Sequence, residues 1–238
     1  MKIALIGYGK MGRTIEELAL QRGHSTGLII DIDSTGQLTK ENLNRCDVAV
    51  EFTGPESAKS NIIRCLESGI PIVSGSTGWL NDWGEVIGCC NNNNGSFLYA
   101  SNFSVGVNLF FALNKQLARI MSKQEEYEVQ MTETHHTQKK DAPSGTAISL
   151  AEQLMKEIPG KKNWVNHPSQ DPGELSIISK RIDPAPGTHS VKYFSRIDDI
   201  EIIHTAHSRK GFALGALLAA EYISDKKGIF SIAEVLGL

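Results

Sequence analysis

The stretch Glu133–Ala147 (ETHHTQKKDAPSGTA) gathers the residue types that proton transfer and anion binding require. Two imidazoles, His135 and His136, and two ammonium groups, Lys139 and Lys140, stand between an expected strand end and an expected helix start. An imidazole titrates close to neutrality, with a reference pKa of about 6.5, so it can deliver a proton in a neutral-pH reaction. Pro143 disfavours helix in the residue before it, and Ser144 is placed to cap a helix that begins just beyond. The backbone N–H groups of Gly145 and Thr146 would then point outward at the positive end of the helix dipole. A lone histidine is most often an ordinary core or surface residue. Here it is the grouping of imidazoles, ammonium groups and a free helix terminus that suits carboxylates.

A second candidate lies at the N-terminus, where an apolar run ends in Gly7-Tyr8-Gly9-Lys10-Met11-Gly12. Glycine at the first position permits a tight turn. At the second it lets the backbone approach a pyrophosphate, and at the third it lets helix and strand pack closely. By itself GxGxxG also fits a merely tight strand-to-helix turn. Its place between an expected strand and an expected helix favours a dinucleotide. Asp31 ends the second strand of this unit, where a carboxylate can accept from an adenosine ribose; turn capping, or Asp33 in its place, is the competing reading. The next residue is Ile32 rather than an arginine that would neutralise a 2′-phosphate, which favours NADH over NADPH, although Lys10, Arg13 or a loop lysine could still pair with that phosphate. Phe52-Thr53, Gly75-Ser76-Thr77 and Ser101-Asn102-Phe103 follow later strands. Each alone reads as a turn, but together they fall where open α/β sheets bind ligands, at the nicotinamide half.

These groups need a scaffold. Up to about residue 102, apolar runs (Ile3–Ile6, Leu28–Ile30, Val48–Phe52, Ile70–Val73, Phe97–Tyr99) alternate with helix-compatible segments (Met11–Gln21, Glu56–Glu67, Leu80–Cys89). That alternation predicts an α/β fold, a Rossmann-type parallel sheet covered on both faces. Beyond it, Val105–Met121 reads as a long helix. Glu126–Thr134, Leu175–Ile182, Ser190–Arg196 and Ile200–Ala206 read as strands whose period-two alternation suggests an antiparallel sheet. Lys161–Pro172 reads as a loop, and the apolar helix Phe212–Ile223 is expected to pack back on the first domain. The expected division is therefore a dinucleotide domain, 1–104 with 209–238, and an inserted α+β substrate domain, 105–208. The active site is expected between them, with closure on binding.

The 238 residues carry 24 lysines and arginines against 27 aspartates and glutamates, a formal charge of −3, so no basic excess points to nucleic acid or an anionic membrane. No apolar run approaches membrane-spanning length. The four cysteines (46, 65, 89, 90) have no CxxC spacing, so neither metal nor disulfide is expected, and the reading is cytoplasmic.

The run E-x-H-H-x-x-K-x-D-A-P-S-G-T-A resembles the signature of the 4-hydroxy-tetrahydrodipicolinate reductases. So do Gly7–Arg13, Gly75–Gly78, Ser101–Asn108 and His204-x-Ala206-x-Ser208-Arg209 with Phe212-Ala213-x-Gly215-Ala216, in order along the whole chain. The resemblance implies hydride transfer from NADH or NADPH to a cyclic, dicarboxylated imine-type substrate in diaminopimelate and lysine biosynthesis. It implies His135 as general acid and Lys139 as its electrostatic support and carboxylate ligand. His136, Ser144, Gly145 and Thr146 would join Lys139 around the substrate, and the assembly would be a homotetramer. Thr137 and Gln138 stand where some members carry further basic residues, which shifts carboxylate binding toward Lys139, Lys140 and the helix terminus. Arg181 either contributes from its strand or forms an exposed salt bridge. An amino-acid dehydrogenase, or a non-enzymatic dinucleotide sensor, would explain the glycine turn but not the histidine–lysine run.

Overall fold

The computed structural model describes all residues, 1–238. In chain order its first half contains β1 (Lys2–Ile6), α1 (Lys10–Gln21), β2 (Ser25–Ile30), α2 (Lys40–Leu43), β3 (Val48–Glu51), α3 (Pro55–Glu67), β4 (Ile72–Ser74), α4 (Trp83–Asn92), β5 (Ser96–Tyr99) and α5 (Val105–Met121). There follow β6 (Glu128–His135), α6 (Gly145–Glu157), β7 (Asn163–Val165), β8 (Glu174–Arg181), β9 (Thr188–Phe194), β10 (Asp199–Thr205), α7 (Lys210–Ile223), β11 (Gly228–Phe230) and α8 (Ile232–Leu236). Two compact units result, residues 1–108 with 210–238 and residues 109–209. The first division falls one turn inside α5, four residues beyond the 104/105 boundary expected from sequence, because a continuous helix offers no break in composition there.

In the first unit six parallel strands run in the order β11-β5-β4-β3-β1-β2. Their apolar runs are buried on both faces, as parallel sheets require. One cluster packs Ala4, Ile6 and Ala49 with Ile62, Leu66, Trp79 and Phe97, and the other packs Ile3, Leu5, Val48 and Val50 with Ala213, Ala216, Leu217 and Ala220 of α7. The chain leaves β1 toward β2 and returns to β3 on the other side of β1. The strand order therefore reverses between β1 and β3, which makes a crevice at their C-terminal ends. Strand β11 at the far edge has no counterpart in the sequence reading, because its three residues are too short to show a period. The segment expected as one helix over 80–89 splits into a short tight turn, Leu80–Asp82, followed by α4.

The second unit holds five strands in the order β10-β9-β6-β8-β7. This corrects the antiparallel expectation: β9 and β10 pair antiparallel, but β6 with β8 and β7 with β8 are parallel. Alternation reports only that one face is buried, and α6, in the connection from β6 to β8, lets parallel strands show the same pattern. Strand β7 also lies within the stretch expected as loop, three residues being too few to signal it. The buried face carries Val129 and Met131 of β6, Ile177 of β8, and Val191 and Tyr193 of β9. They pack against Ala118 and Met121 of α5 and Leu150, Ala151 and Leu154 of α6.

Candidate active site

The glycine turn sits in the crevice of the first unit. Gly7 has φ +92°, its N–H donates to the Ile30 carbonyl at 2.8 Å, and a Cβ there would lie 2.1 Å from the Phe52 carbonyl oxygen. A Cβ on Gly12 would lie 2.2 Å from the Gly7 carbonyl oxygen. Gly9, at the N-cap of α1, meets nothing within 4 Å of such a Cβ, so the space a phosphate group would take is open above it. Lys10 is exposed at the helix start, Met11 is half-buried, and Tyr8 donates from its hydroxyl to Glu16 while the Arg13 guanidinium lies 4.6 Å over its ring. Asp31 caps the turn 32–37, accepting from the Ile32 N–H at 2.9 Å, which is the turn-capping role.

Glu51, fully buried at the end of β3, organises the loops after β3 and β4. Its Oε1 accepts from the Thr53 N–H (2.8 Å), the Thr53 hydroxyl (2.5 Å) and the Ser76 hydroxyl (2.7 Å), and its Oε2 accepts from Ser74 (2.6 Å). Gly75 is kept free of a side chain by the Phe52 ring, 2.2 Å from where a Cβ would stand, and Thr77 is exposed beyond it. Phe103 is buried, its ring 5.8 Å from that of Phe52, while Ser101 is exposed and Asn102 caps the next turn by accepting from the Ser104 N–H. Phe103 can therefore meet a ligand only through its backbone.

In the second unit the strand register assembles a different cluster. Side chains two apart share a face, so Glu133 and His135 continue the buried row of Val129 and Met131. Register sets His189 opposite Glu133 on β9, and Ser179 and Arg181 opposite Glu133 and His135 on β8. The Glu133 carboxylate, 0% exposed, places Oε1 3.0 Å from Arg181 Nη2 and Oε2 3.0 Å from His135 Nδ1. The imidazole contact is an ion-pair distance without the alignment of a good hydrogen bond. Burial resists ionisation of Glu133, but His135, Ser144, Ser179 and Arg181 overcome it and hold the carboxyl well below the usual range. His189, also buried, has Nε2 3.1 Å from the Ser144 hydroxyl and 3.9 Å from Glu133, with its ring 5.1 Å from that of His135. Burial and the neighbouring His135 lower its pKa to about 4, leaving it neutral.

Ser144 caps α6 through the Ala147 N–H at 3.2 Å and is itself 3% exposed, so its hydroxyl serves the helix and His189. Gly145 is exposed, with open space where a Cβ would stand, and Thr146 is half-buried beside it. Lys139 Nζ holds the Asp141 carboxylate at 2.8 and 2.9 Å, and His136 is half-buried in the same loop. On the far side of His135, a Cβ on Gly187 would lie 3.1 Å from Nε2, so the absence of a side chain leaves that nitrogen accessible. Glu133, His135 and His189 offer ligand-type atoms within 4.8 Å of one another, but the carboxylate already carries a guanidinium, which disfavours a second cation.

Glu51 and His189 were missed by the sequence reading, and Glu133 stood there only as the first residue of the motif, without a role. The available signal was a carboxylate or imidazole interrupting an otherwise apolar alternation or run. Arg181 does form a salt bridge, but a largely buried one: its side chain is 20% exposed and that of its partner Glu133 0%.

A parallel sheet with a glycine turn at its switch point, joined to a unit bearing a carboxylate-backed imidazole near a capped helix terminus, defines a nicotinamide-dinucleotide oxidoreductase. The profile described as dihydrodipicolinate reductase, N-terminus, matches residues 1–103, and that for the C-terminus matches residues 106–236. The 4-hydroxy-tetrahydrodipicolinate reductase of Christiangramia forsetii is 48% identical, with 99% of this chain and 98% of that protein covered. The enzyme of the same name from Chromobacterium violaceum is 34% identical over 99% of this chain and 88% of its own length. Among solved structures, dipicolinate-bound dihydrodipicolinate reductase from Paenisporosarcina sp. TG-14 superposes with a TM-score of 0.78 at 21% identity, covering 98% of both chains. The chain belongs to the dihydrodipicolinate reductase family.

Proposed function

We propose that this protein reduces 4-hydroxy-tetrahydrodipicolinate to tetrahydrodipicolinate with a nicotinamide dinucleotide, in diaminopimelate and lysine biosynthesis. The supporting observation is His135. Its Nδ1 is backed by a buried carboxylate, and its Nε2 is left open by Gly187. Gly7, Gly9, Gly12 and the loops that Glu51 organises would hold the dinucleotide, whose dihydronicotinamide would supply the hydride. The 4-hydroxyl leaves as water to give the conjugated imine that accepts the hydride; His135 then gives a proton from Nε2 to the ring carbon that carries the electron pair left by reduction, and Glu133 stabilises the imidazolium beforehand. The substrate carboxylates are taken by His136, Lys139 and the N–H groups of Gly145 and Thr146, with Lys139 exchanging Asp141 for substrate.

We assign an NADH preference from Asp31 and the absence of an arginine at Ile32, a cytoplasmic location from four unpaired cysteines, and a homotetramer from the second sheet. That sheet ends in β10, a solvent-exposed edge strand with Ile203 60% exposed. The test is a coupled assay with freshly generated 4-hydroxy-tetrahydrodipicolinate, following loss of dihydronicotinamide absorbance. Dependent oxidation of NADH supports the reading. No turnover with this substrate, alongside turnover with an amino-acid-derived imine, overturns it.

A further inference from the structure

We infer that Arg181 is a positioning residue for this reaction, a single guanidinium that sets both the carboxylate behind His135 and the backbone that carries Lys139. The inference rests on the roles proposed above for those two residues. Strand register places Arg181 at the end of β8, directly across from His135. From there Nη2 donates to Glu133 Oε1 at 3.0 Å and to the Asp141 carbonyl at 2.5 Å, and Nε donates to the Lys139 carbonyl at 3.3 Å. Nη1 is spent on the Lys180 carbonyl at 2.8 Å.

The two halves of this arrangement have different consequences. Glu133 is fully buried, so the oxygen taken by Arg181 decides which oxygen remains for Nδ1 of His135. That fixes the imidazole with Nε2 outward, toward the space left by Gly187. The loop 136–143 is otherwise lightly tied: the Lys139 N–H donates to the His136 carbonyl, and Thr137 donates to Asp183. Arg181 grips that loop at the two carbonyls flanking Lys140, so the reach of Lys139 toward a carboxylate depends on the same guanidinium. Lysine keeps the charge but has neither the planar fork nor the span to hold a carboxylate and two carbonyls together.

The test is Arg181→Lys, with kcat, both KM values and the pH profile of kcat/KM. The titratable and charged groups facing His135 are Glu133 on its own strand, Arg181 on β8 and the neutral His189 on β9. We expect kcat to fall about tenfold to a hundredfold, the range for residues that orient a functional group. The KM for the dicarboxylate should rise and that for NADH stay unchanged. The alkaline limb should move to lower pH, because the carboxylate is no longer held where it faces Nδ1. Added guanidinium ion should restore part of the kcat of Arg181→Ala; should that variant fail to fold, Arg181→Lys carries the test. In a His135→Gln background, Arg181→Lys should cost little further kcat at saturating substrate, while the rise in KM that comes through Lys139 persists.

Wild-type kcat and an unmoved alkaline limb in Arg181→Lys overturn the inference. So does an equal loss of rate in the wild-type and His135→Gln backgrounds. Near-normal turnover of His135→Gln alone overturns instead the acid assignment beneath it, and the two failures are thereby told apart.

Discussion

His189 should make the second unit sensitive to mild acid, and the size of the effect follows from its surroundings. The side chain is buried opposite Glu133 with Nε2 on the Ser144 hydroxyl, and burial together with His135 lowers its pKa to about 4. An unfolded histidine titrates near 6.5, so the proton binds the unfolded chain more readily. A depressed folded pKa gives stability that is complete above about pH 6.5 and is lost as pH falls toward 4. Summing both titrations, the loss between pH 7 and 4.5 is about 2 kcal/mol, a large share of a typical domain's margin. The assay is urea unfolding of the wild type and His189→Gln at both pH values. Glutamine cannot titrate, so other acid-sensitive groups cancel in the comparison. The wild type should lose about 2 kcal/mol more than the variant over this interval. Equal losses would refute the argument that a neutral, desolvated imidazole is built into this cluster.

Glu133→Gln removes the charge that both Arg181 and His135 face. It should destabilise the second unit by about 3 kcal/mol, since a buried ion is left without its counterpart, and thermal melting checks this. Gly7→Ala places a methyl 2.1 Å from the Phe52 carbonyl at φ +92°, so it should cost about 3 kcal/mol and abolish NADH binding, measured by fluorescence titration. Glu51→Gln presents an amide donor where every neighbour is already a donor. One group is left unsatisfied, a loss of about 1–3 kcal/mol, and NADH affinity should weaken while the KM for the dicarboxylate holds.

Much of this molecule was readable from residue type and period. The parallel sheet, helix Val105–Met121 and the cap at Ser144 announce themselves, because each depends on local chemistry: continuous apolar runs, helical spacing, and a hydroxyl before Gly145. The parallel pairing of β6 with β8 was not readable, because alternation is blind to strand direction. Short β7 and β11 carry too few residues to show a period. Among the candidate site residues, the glycine turn, His136 and Lys139 lie in loops and His135 at the last position of β6, and all stand out as types unusual in their setting. Glu51, Glu133 and His189 depend instead on register, which brings together residues 23 to 56 positions apart that no local window relates. Sequence also described Asp31 only as a choice between ribose ligand and cap. The hydrogen bond to Ile32 gives it the cap, and one carboxylate can do both.

The account turns on His135 delivering the proton that follows hydride transfer. Steady-state turnover of His135→Gln, compared with its measured dissociation constant for NADH, addresses this directly. A fall in kcat of about two to four orders of magnitude with unchanged NADH binding is the predicted result. Near-normal turnover by a chain that has lost that imidazole would contradict it.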